Sequence, residues 1–396
     1  MQRKPHKLLI YGHSNNDETM STGVAQYNLD LLGMLENEGS VEEITFVHDH
    51  KSCNRFQELE LSSKVELVPI ELLSGKIHRL FKALIFLSTI FGLTFLIPML
   101  ARIIAPNNHA ATLMNKYPDY THFLYTSWGA NSEFPVLLRA SSKNNIISAI
   151  HDTRCLHYKA SWSERFWGII KLKAILASSD SVLAPSKQVV ADLRTLNQEV
   201  KIIETSAIPK IDVPLSWKAS QYKGLSYIFY PNTFVETKNH MVFVDVLKRL
   251  KGEFCLVLSG SGSENETAKD FFNACLEENV GHLVHHEGFV DENRKFDLMR
   301  GSAALVMPTI GFESYSLSIW EAFGIGCPVI ASKESDLQEQ VKGFGRMCDP
   351  YDAGDIVSQL KEVQSRNYSG SLLQRQAHDY YLERQKIAKK VVINNL

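Results

Sequence analysis

Short apolar runs alternate with longer amphipathic stretches along the whole of this 396-residue chain. A short apolar run bounded by polar residues is typical of a buried strand, whereas apolar residues at helical spacing are typical of a helix packed on one face. Regular alternation of the two patterns predicts a parallel α/β architecture, because each strand then leads through a helix to the next parallel strand.

Two consecutive series of strands and helices are predicted. The strands fall at residues 8–11, 44–48, 65–69, 122–126, 146–150, 181–184 and 201–204, and then at 227–230, 254–259, 283–286, 304–307, 328–331 and 345–348. The helices fall at 23–38, 133–140, 164–177, 187–196, 239–251, 264–278, 293–300, 315–324 and 352–365. Two series of similar size indicate two doubly wound, Rossmann-like domains rather than one large sheet.

The domain boundaries follow from composition. Residues 207–216 contain two prolines and no periodicity, which is typical of a linker. We therefore assign residues 1–208 to an N-terminal domain and residues 217–371 to a C-terminal domain. A long amphipathic helix is predicted for residues 372–396, and it is expected to pack back on the N-terminal domain.

One segment departs from the soluble pattern. Residues 83–101 contain no charged side chain, and their length falls within the range of a membrane-spanning helix. Three interpretations stay open: a buried core helix, a spanning helix, and a helix that enters one leaflet. Spanning is disfavoured because it would separate the strand at 8–11 from its partners across the bilayer, and Gly92 and Pro98 weaken a single straight helix. The leaflet-associated helix is the working hypothesis.

Composition and charge restrict the function classes. Hydrophobic residues make up 44% and charged residues 22%, which is globular composition. The net charge of −2 gives no electrostatic reason to expect nucleic acid as a partner. Six scattered cysteines without a CxxC pair, together with an apolar N-terminal run too short for a signal peptide, predict a cytoplasmic protein with reduced thiols.

The most informative segment is residues 308–331. Glu313 follows a strand, whereas Glu321 lies eight positions later and inside the next helix. In an open α/β sheet ligands bind at the carboxyl ends of strands, and a helix that begins at Tyr315–Ser316 would direct backbone N–H groups at an anion there. The small side chain of Ser314 would let phosphate oxygens approach. The alternative is an ordinary helix capped by Ser314, with Glu321 merely exposed.

This segment resembles the retaining glycosyltransferases of family four, which are group 1 type enzymes of GT-B fold that include bacterial surface-polysaccharide enzymes. The match consists of Glu313, seven residues, Glu321 and then the strand Pro328-Val-Ile-Ala331. The resemblance implies two Rossmann-like domains facing a cleft, with Glu313 at the hydroxyls of the donor sugar and Glu321 at the ribose. Where the family often has Gly-Phe-Gly after the first glutamate, this chain has Ser-Tyr-Ser. The implied donor-binding residues here are Ser314, Tyr315, Ser316 and Leu317.

Further positions match the same family. Lys238 follows the first strand of the C-terminal domain and would lie beside the donor diphosphate. Many relatives carry an arginine five residues earlier, where this chain has Thr233. Val290 resembles the loop beside the nucleotide base. In the N-terminal domain, Gly23 resembles the turn into the first helix, and His151 resembles a cleft histidine that contacts the sugar.

The resemblance implies a donor substrate and a route. The donor is a nucleotide-diphosphate sugar, and no further cofactor is expected. No Asp-x-Asp pair suited to a metal-bound diphosphate is found, so we expect metal-independent transfer. The implied catalytic residues are Glu313, Lys238 and His151, and the anomeric configuration is retained. Mannosyl and N-acetylglucosaminyl transfer both stay open, as do UDP-glucose and other donors, because base and sugar selectivity depend on loop geometry.

The acceptor hypothesis rests on the N-terminal domain. Residues 154–173 contain five basic side chains and one acid, interleaved with aromatic residues. A solvated helix face would explain this stretch by itself, but together with residues 83–101 it suits an anionic membrane surface. We therefore expect a glycan or a polyprenyl-diphosphate-linked acceptor at the inner face of the cell membrane. The alternatives are a nucleotide-sugar epimerase and a non-catalytic glycan- or nucleotide-sugar-binding protein.

Overall fold

The structure is a computed structural model. It describes residues 5–12, 23–49, 61–70, 109–126, 134–141, 144–157, 160–205, 215–216, 218–334, 336–365 and 372–396, with scattered positions between 80 and 103. The predicted linker at 207–216 lies mostly outside the described residues, as does part of the apolar segment 83–101.

The chain forms two compact units. The first contains Met1–Ala207 together with Ala388–Leu396, and the second contains Ile208–Ile387. The boundary therefore falls within the predicted linker, and the long C-terminal helix contributes residues to both units.

The N-terminal unit is built on a parallel sheet of seven strands. They are β1 (His6–Tyr11), β2 (Val41–Asp49), β3 (Val65–Ile70), β4 (His122–Tyr125), β5 (Asn145–Ala149), β6 (Ser181–Ala184) and β7 (Lys201–Glu204). Their spatial order is β3-β2-β1-β4-β5-β6-β7, and every pair is parallel. The order reverses between β1 and β4, which is the switch point of a doubly wound sheet.

Within the described residues, five helices formed by the amphipathic stretches of this unit connect the strands. They are α1 (Gly23–Glu36), α2 (His109–Lys116), α3 (Phe134–Ser141), α4 (Trp162–Ser178) and α5 (Lys187–Leu196). A capping box starts α4, since the Ser161 hydroxyl accepts from the Glu164 amide and the Glu164 carboxylate accepts from the Ser161 amide. Ser186 caps α5, since its hydroxyl accepts from the Val189 amide.

The C-terminal unit contains a second, mainly parallel sheet. Its strands are β8 (Gln221–Tyr222), β9 (Leu225–Pro231), β10 (Phe254–Ser259), β11 (Val284–His286), β12 (Ala304–Met307), β13 (Val329–Ser332) and β14 (Arg346–Cys348). The order is β11-β10-β9-β12-β13-β14, and the short β8 pairs antiparallel with β9. The switch point lies between β9 and β12, where the site described below is found.

The helices of this unit and the C-terminal helix complete the architecture. They are α6 (Val242–Leu250), α7 (Glu266–Glu277), α8 (Glu292–Gly301), α9 (Leu317–Ile325), α10 (Leu337–Val341), α11 (Ala353–Ser365) and α12 (Leu372–Asn394). All thirteen predicted strands are present, and so are the predicted helices outside the apolar segment 83–101. In that segment, which is described only in part, residues 91–93 are non-helical and Thr94–Leu96 form a 3₁₀ turn. The short elements β8, α2 and α10 were not predicted.

No helix in the described part of the chain is long and apolar enough to cross a bilayer. Of the cysteines, the five that the structure describes are free thiols: Cys155, Cys255, Cys275, Cys327 and Cys348.

Candidate functional site

Two loops meet at the carboxyl ends of β9 and β12, which are neighbouring parallel strands. The loop after β9 carries Lys238 and the loop after β12 carries Glu313. A backbone hydrogen bond of 2.9 Å from the Ile310 amide to the Thr237 carbonyl joins the two loops. Residues separated by 75 positions in sequence are thereby brought together at the edge of the sheet where open α/β folds bind ligands.

Lys238 and Glu313 form an ion pair between these loops. Their side chains are 18% and 21% exposed, so both charges are accessible from solvent and partly shielded by protein. A partly buried cation and anion in contact hold each other in place. The lysine can exchange this contact for an anionic ligand group, and the carboxylate can exchange it for a hydrogen-bond donor. The structure thus brings together two of the three predicted catalytic residues.

Three hydrogen bonds fix the backbone at Lys238 and Asn239. The Tyr230 hydroxyl donates a 2.6 Å hydrogen bond to the Lys238 carbonyl, and burial raises the pKa of Tyr230 well above its usual value, so that the phenol stays a neutral donor. Asn239 has a left-handed backbone with φ of 55°, which asparagine tolerates better than most residues. Its side-chain amide donates to the carbonyls of Pro308, at 3.1 Å, and Pro350, at 2.7 Å. The 3₁₀ turn that ends at Lys238 is therefore tied to the loops after β12 and β14.

His240 supports the same loop from the core. Its ring stacks on Phe234 with centroids 4.3 Å apart. Burial, assisted by the nearby charge of Lys238, lowers the pKa of His240 to about 4, so the ring is neutral at physiological pH. His240 is thus a packing residue beneath the turn.

Glu321 forms a second ion pair. Glu321 is only 3% exposed, and its Oε1 accepts a 2.7 Å hydrogen bond from Nζ of Lys295 on α8. Its Oε2 is buried and has no hydrogen-bond partner among the described residues. The alternative that Glu321 is merely exposed is therefore wrong, because the helix buries this carboxylate instead of presenting it to solvent.

The helix after Glu313 begins later than the sequence predicted. Its first residue is Leu317 and its N-cap position is Ser316, so the prediction of a start at Tyr315–Ser316 and the alternative of a Ser314 cap are both wrong. The reason is a contact from distant sequence. The buried Gln340 side chain accepts from the Ser316 amide at 2.8 Å and donates to the Ser316 carbonyl at 3.0 Å.

This contact changes which groups can face an anion. The Ser316 amide is already engaged by Gln340, so the N–H groups left for a ligand at this terminus are those of the first helical turn, which begins at Leu317. Ser314 and Ser316 are buried, whereas Tyr315 and Leu317 are partly exposed.

The remaining predicted donor-binding residues of this unit lie on neighbouring loops. Thr233 is exposed, and its hydroxyl is 3.3 Å from that of Ser261 in the loop after β10. A Cβ on Gly260 would lie 2.5 Å from the Asn232 carbonyl oxygen, so the absence of a side chain lets these two loops meet. Val290 is partly exposed and directly precedes the start of α8.

His151 and Gly23 lie in the N-terminal unit. His151 follows β5, and its Nε2 donates a 3.1 Å hydrogen bond to the Thr126 carbonyl. Burial lowers the pKa of His151, which favours a neutral ring with the proton on Nε2. The helix that begins at Gly23 places Tyr27 edge-on against this histidine, with ring centroids 4.5 Å apart. The structure therefore brings the α1 helix and His151 together.

The contacts of three residues at these loops were not predicted. Asn239 joins two loops by hydrogen bonds, Gln340 binds the Ser316 backbone, and Lys295 pairs with Glu321. Gln340 and Lys295 act across 24 and 26 positions of sequence, and a lysine on a helix gives no local signal. Among the described residues, no group of three or more His, Cys, Asp or Glu side chains is arranged to hold a metal ion.

Comparison with known proteins bears on the superfamily and the fold. Residues 215–378 match the family model of group 1 glycosyl transferases, which supports the superfamily suggested by the sequence. None of the curated proteins compared by sequence matches the chain.

Solved structures resemble the chain over its whole length. Sucrose-phosphate synthase from Thermosynechococcus elongatus is 17% identical with a TM-score of 0.74, covering 99% of this chain and 98% of that one. Anabaena HepE in complex with UDP-glucose is 12% identical with a TM-score of 0.69, covering 98% and 100%. The trehalose-6-phosphate synthase OtsA is 10% identical with a TM-score of 0.66, covering 98% of both chains. The chain therefore has the predicted GT-B fold of two parallel-sheet α/β domains.

Proposed function

We propose that this protein is a retaining, metal-independent glycosyltransferase that transfers a hexose from a nucleotide-diphosphate sugar to a glycan in polysaccharide biosynthesis. The observation that carries the proposal is the pairing of Lys238 with Glu313 at the carboxyl ends of β9 and β12. A cation for a diphosphate and an anion for sugar hydroxyls lie side by side there. The family match of the surrounding residues supports the same activity.

Four parts of the donor would contact different residues. Lys238, Thr233 and the first turn of α9 from Leu317 would face the diphosphate, while Glu313 would accept hydrogen bonds from the sugar. Glu321 would accept from the ribose, and Val290 would lie beside the base. A UDP-sugar is the first donor to test, because the similar HepE structure holds UDP-glucose.

The reaction develops positive charge on the sugar and negative charge on the departing diphosphate. Lys238 and the backbone N–H groups at the start of α9 would stabilise the leaving group, and such preorganised electrostatic contacts are commonly the largest catalytic contribution. The pairing with Glu313 would hold the Lys238 side chain in position for the diphosphate. Glu313 and His151 would orient the sugar, and a neutral His151 can do so without repelling the developing cation. No cofactor besides the donor is required.

A nucleotide panel tests the proposal directly. We expect one of UDP, GDP or ADP to raise the melting temperature, because a ligand at about 100 times its Kd stabilises the folded state by ~2.7 kcal/mol. The corresponding nucleotide sugar should then be hydrolysed slowly in the absence of acceptor. The measurement is differential scanning fluorimetry followed by nucleotide-release kinetics. A protein that binds none of the panel and releases no nucleotide is not a nucleotide-sugar glycosyltransferase.

The two alternatives give different products. An epimerase would convert the donor into its stereoisomer with no release of nucleoside diphosphate, and a binding protein would leave the donor intact. The match to a glycosyl transferase model favours transfer over both.

The acceptor is proposed from the surface of the N-terminal unit. Exposed large apolar side chains are concentrated on the described parts of the apolar segment, on its flanks and on the start of α4: Leu80, Leu87, Ile90, Phe91, Leu93, Phe95, Met99, Ile103, Trp162 and Trp167. The 3₁₀ turn Thr94–Leu96 packs against α4, so the two sets are adjacent. Phe95 is 71% and Trp162 is 78% exposed, which is unusual for large apolar side chains in contact with water.

Charge on this apolar surface favours a lipid occupant. Trp162 stacks on Phe166 with ring centroids 5.2 Å apart, and the exposed Arg165 lies beside them on α4. The acid in the first turn of α4, Glu164, is engaged in the capping box. Aromatic rings with neighbouring cations suit the interface of an anionic bilayer. A polyprenyl-diphosphate-linked acceptor at the inner face of the cell membrane follows as the proposed acceptor.

Flotation with liposomes tests this surface. We expect the wild-type protein to float with vesicles that contain phosphatidylglycerol, and the double variant Phe95→Ser/Trp162→Ser to remain mainly in the soluble fraction. Leu276→Ser is the matched control, because Leu276 is 72% exposed but lies on α7 of the other unit. Wild-type protein that stays in the soluble fraction, or equal loss of flotation in the Leu276 variant, contradicts the assignment.

A further inference from the structure

Lys295 is the one cation that contacts the buried carboxylate of the proposed nucleoside site in the described part of the chain. It lies on the first turns of α8, whose start is fixed by Asp291, since the Asp291 carboxylate accepts from the Arg294 amide at 2.8 Å. The loop that carries Val290 directly precedes this cap. Lys295 thereby lies on the helix that follows the proposed base-binding loop, and it contacts Glu321 from there.

The ion pair uses only half of the Glu321 carboxylate. Oε1 accepts from Lys295 at 2.7 Å, while Oε2 is buried and has no partner among the described residues. A buried charged oxygen without a hydrogen bond is costly, so such atoms usually have a ligand or a functional role. The lysine also fixes the rotation of the carboxylate, because a 2.7 Å contact to one oxygen determines where the other oxygen lies.

We propose that Lys295 is a positioning residue that holds Glu321 so that Oε2 accepts a hydrogen bond from a ribose hydroxyl of the donor. This inference rests on the proposed nucleotide-sugar activity. Lys295 pairs with the buried carboxylate through Oε1 alone, and its side chain is itself 22% exposed, so it can remain paired while the ligand enters. Selection of a ribonucleotide over its deoxy analogue then depends on a residue that touches no reacting atom.

The experiment compares UDP with 2′-deoxy-UDP and 3′-deoxy-UDP, and the corresponding GDP set in parallel, by isothermal titration calorimetry. Wild-type protein is expected to bind the ribonucleotide at least ~10-fold more tightly than one of the deoxy analogues, since a hydrogen bond to a charged group carries roughly this discrimination. In Lys295→Met the ratio should fall to below about 3-fold, because the freed carboxylate no longer has one orientation. Lys295→Arg should restore most of the ratio.

Two controls separate positioning from other roles. Lys269, on the surface helix α7, pairs with Glu266 at 2.9 Å in a comparably short contact, and Lys269→Met should leave the ratio at the wild-type value. If Lys295→Met leaves a buried charge that unfolds the protein, Lys295→Gln keeps a hydrogen-bond donor for Glu321 on a shorter side chain, and it is expected to fold with the ratio reduced.

The outcomes are distinct. A lower melting temperature with an unchanged ratio would make Lys295 purely structural and overturn the inference. Equal weakening of all nucleotides would make it a direct diphosphate contact, which also overturns it. Wild-type protein that binds none of the nucleotides would overturn the proposed function, whereas binding of UDP or GDP with no preference for the ribonucleotide would overturn this inference alone.

Discussion

Lys238→Ala and Glu313→Ala are each expected to lower donor turnover at least ~100-fold, the size of effect seen when a preorganised electrostatic contact is removed from an active site. Lys238 is the only cation in contact with Glu313 among the described residues, and Thr233 stands where many relatives have a second cation. The loss of Lys238 therefore leaves the leaving group with backbone N–H groups alone. The loss of Glu313 removes the proposed contact to the sugar and the partner that orients Lys238.

The measurement is steady-state release of nucleoside diphosphate, with circular dichroism to show that each variant is folded. Lys248→Ala is the matched control, since Lys248 pairs with Glu278 at 2.6 Å on the outer helices of the same unit and should retain wild-type turnover. A near-normal rate in the Lys238 or Glu313 variant would remove that residue from the catalytic assignment.

Trp320→Ala is expected to reduce the free energy of unfolding by about 3–5 kcal/mol, the range for truncation of a large buried aromatic side chain. Trp320 precedes Glu321 on α9 and is 2% exposed. Its ring lies 5.6 Å from Tyr380 and 5.9 Å from Phe323, centroid to centroid. The cavity would therefore open between α9 and α12, beneath the helix that carries the candidate site.

Urea titration followed by far-ultraviolet circular dichroism measures this effect. Trp162→Ala provides a matched control, because an exposed tryptophan removed from α4 should change the free energy of unfolding by no more than about 0.5 kcal/mol. A similar loss of unfolding free energy in both variants would mean that Trp320 is not packed against Tyr380 and Phe323.

The elements that the sequence predicted are those with strong local patterns. Strands such as Phe254–Ser259 and Ala304–Met307 are continuous apolar runs that end at polar loops, and the structure keeps both boundaries. The elements that were missed lack such a pattern. Gln221–Tyr222 is two residues long, and it becomes a strand only because a turn folds it against β9.

In the candidate site, too, the residues with a local sequence pattern were predicted and those that depend on distant contacts were not. Glu313, Glu321 and Lys238 are recognisable because their spacing from strand ends is local and specific. The true start of α9 is set by Gln340, and the environment of Glu321 is set by Lys295. Neither partner follows from propensity or spacing, because contacts across many residues depend on how helices pack on the sheet.

The C-terminal helix has a consequence for biosynthesis. Val392 is buried in the apolar core of the N-terminal unit with residues such as Leu8 and Leu35. Lys389 pairs with Glu38 at 3.2 Å, and Lys201 donates to the Asn395 side chain at 2.8 Å. On the ribosome, these residues emerge only after the whole of the C-terminal unit has been translated. The first unit to leave the exit tunnel is thus the last to complete its core, and until then a nascent chain exposes an apolar surface that a chaperone could bind.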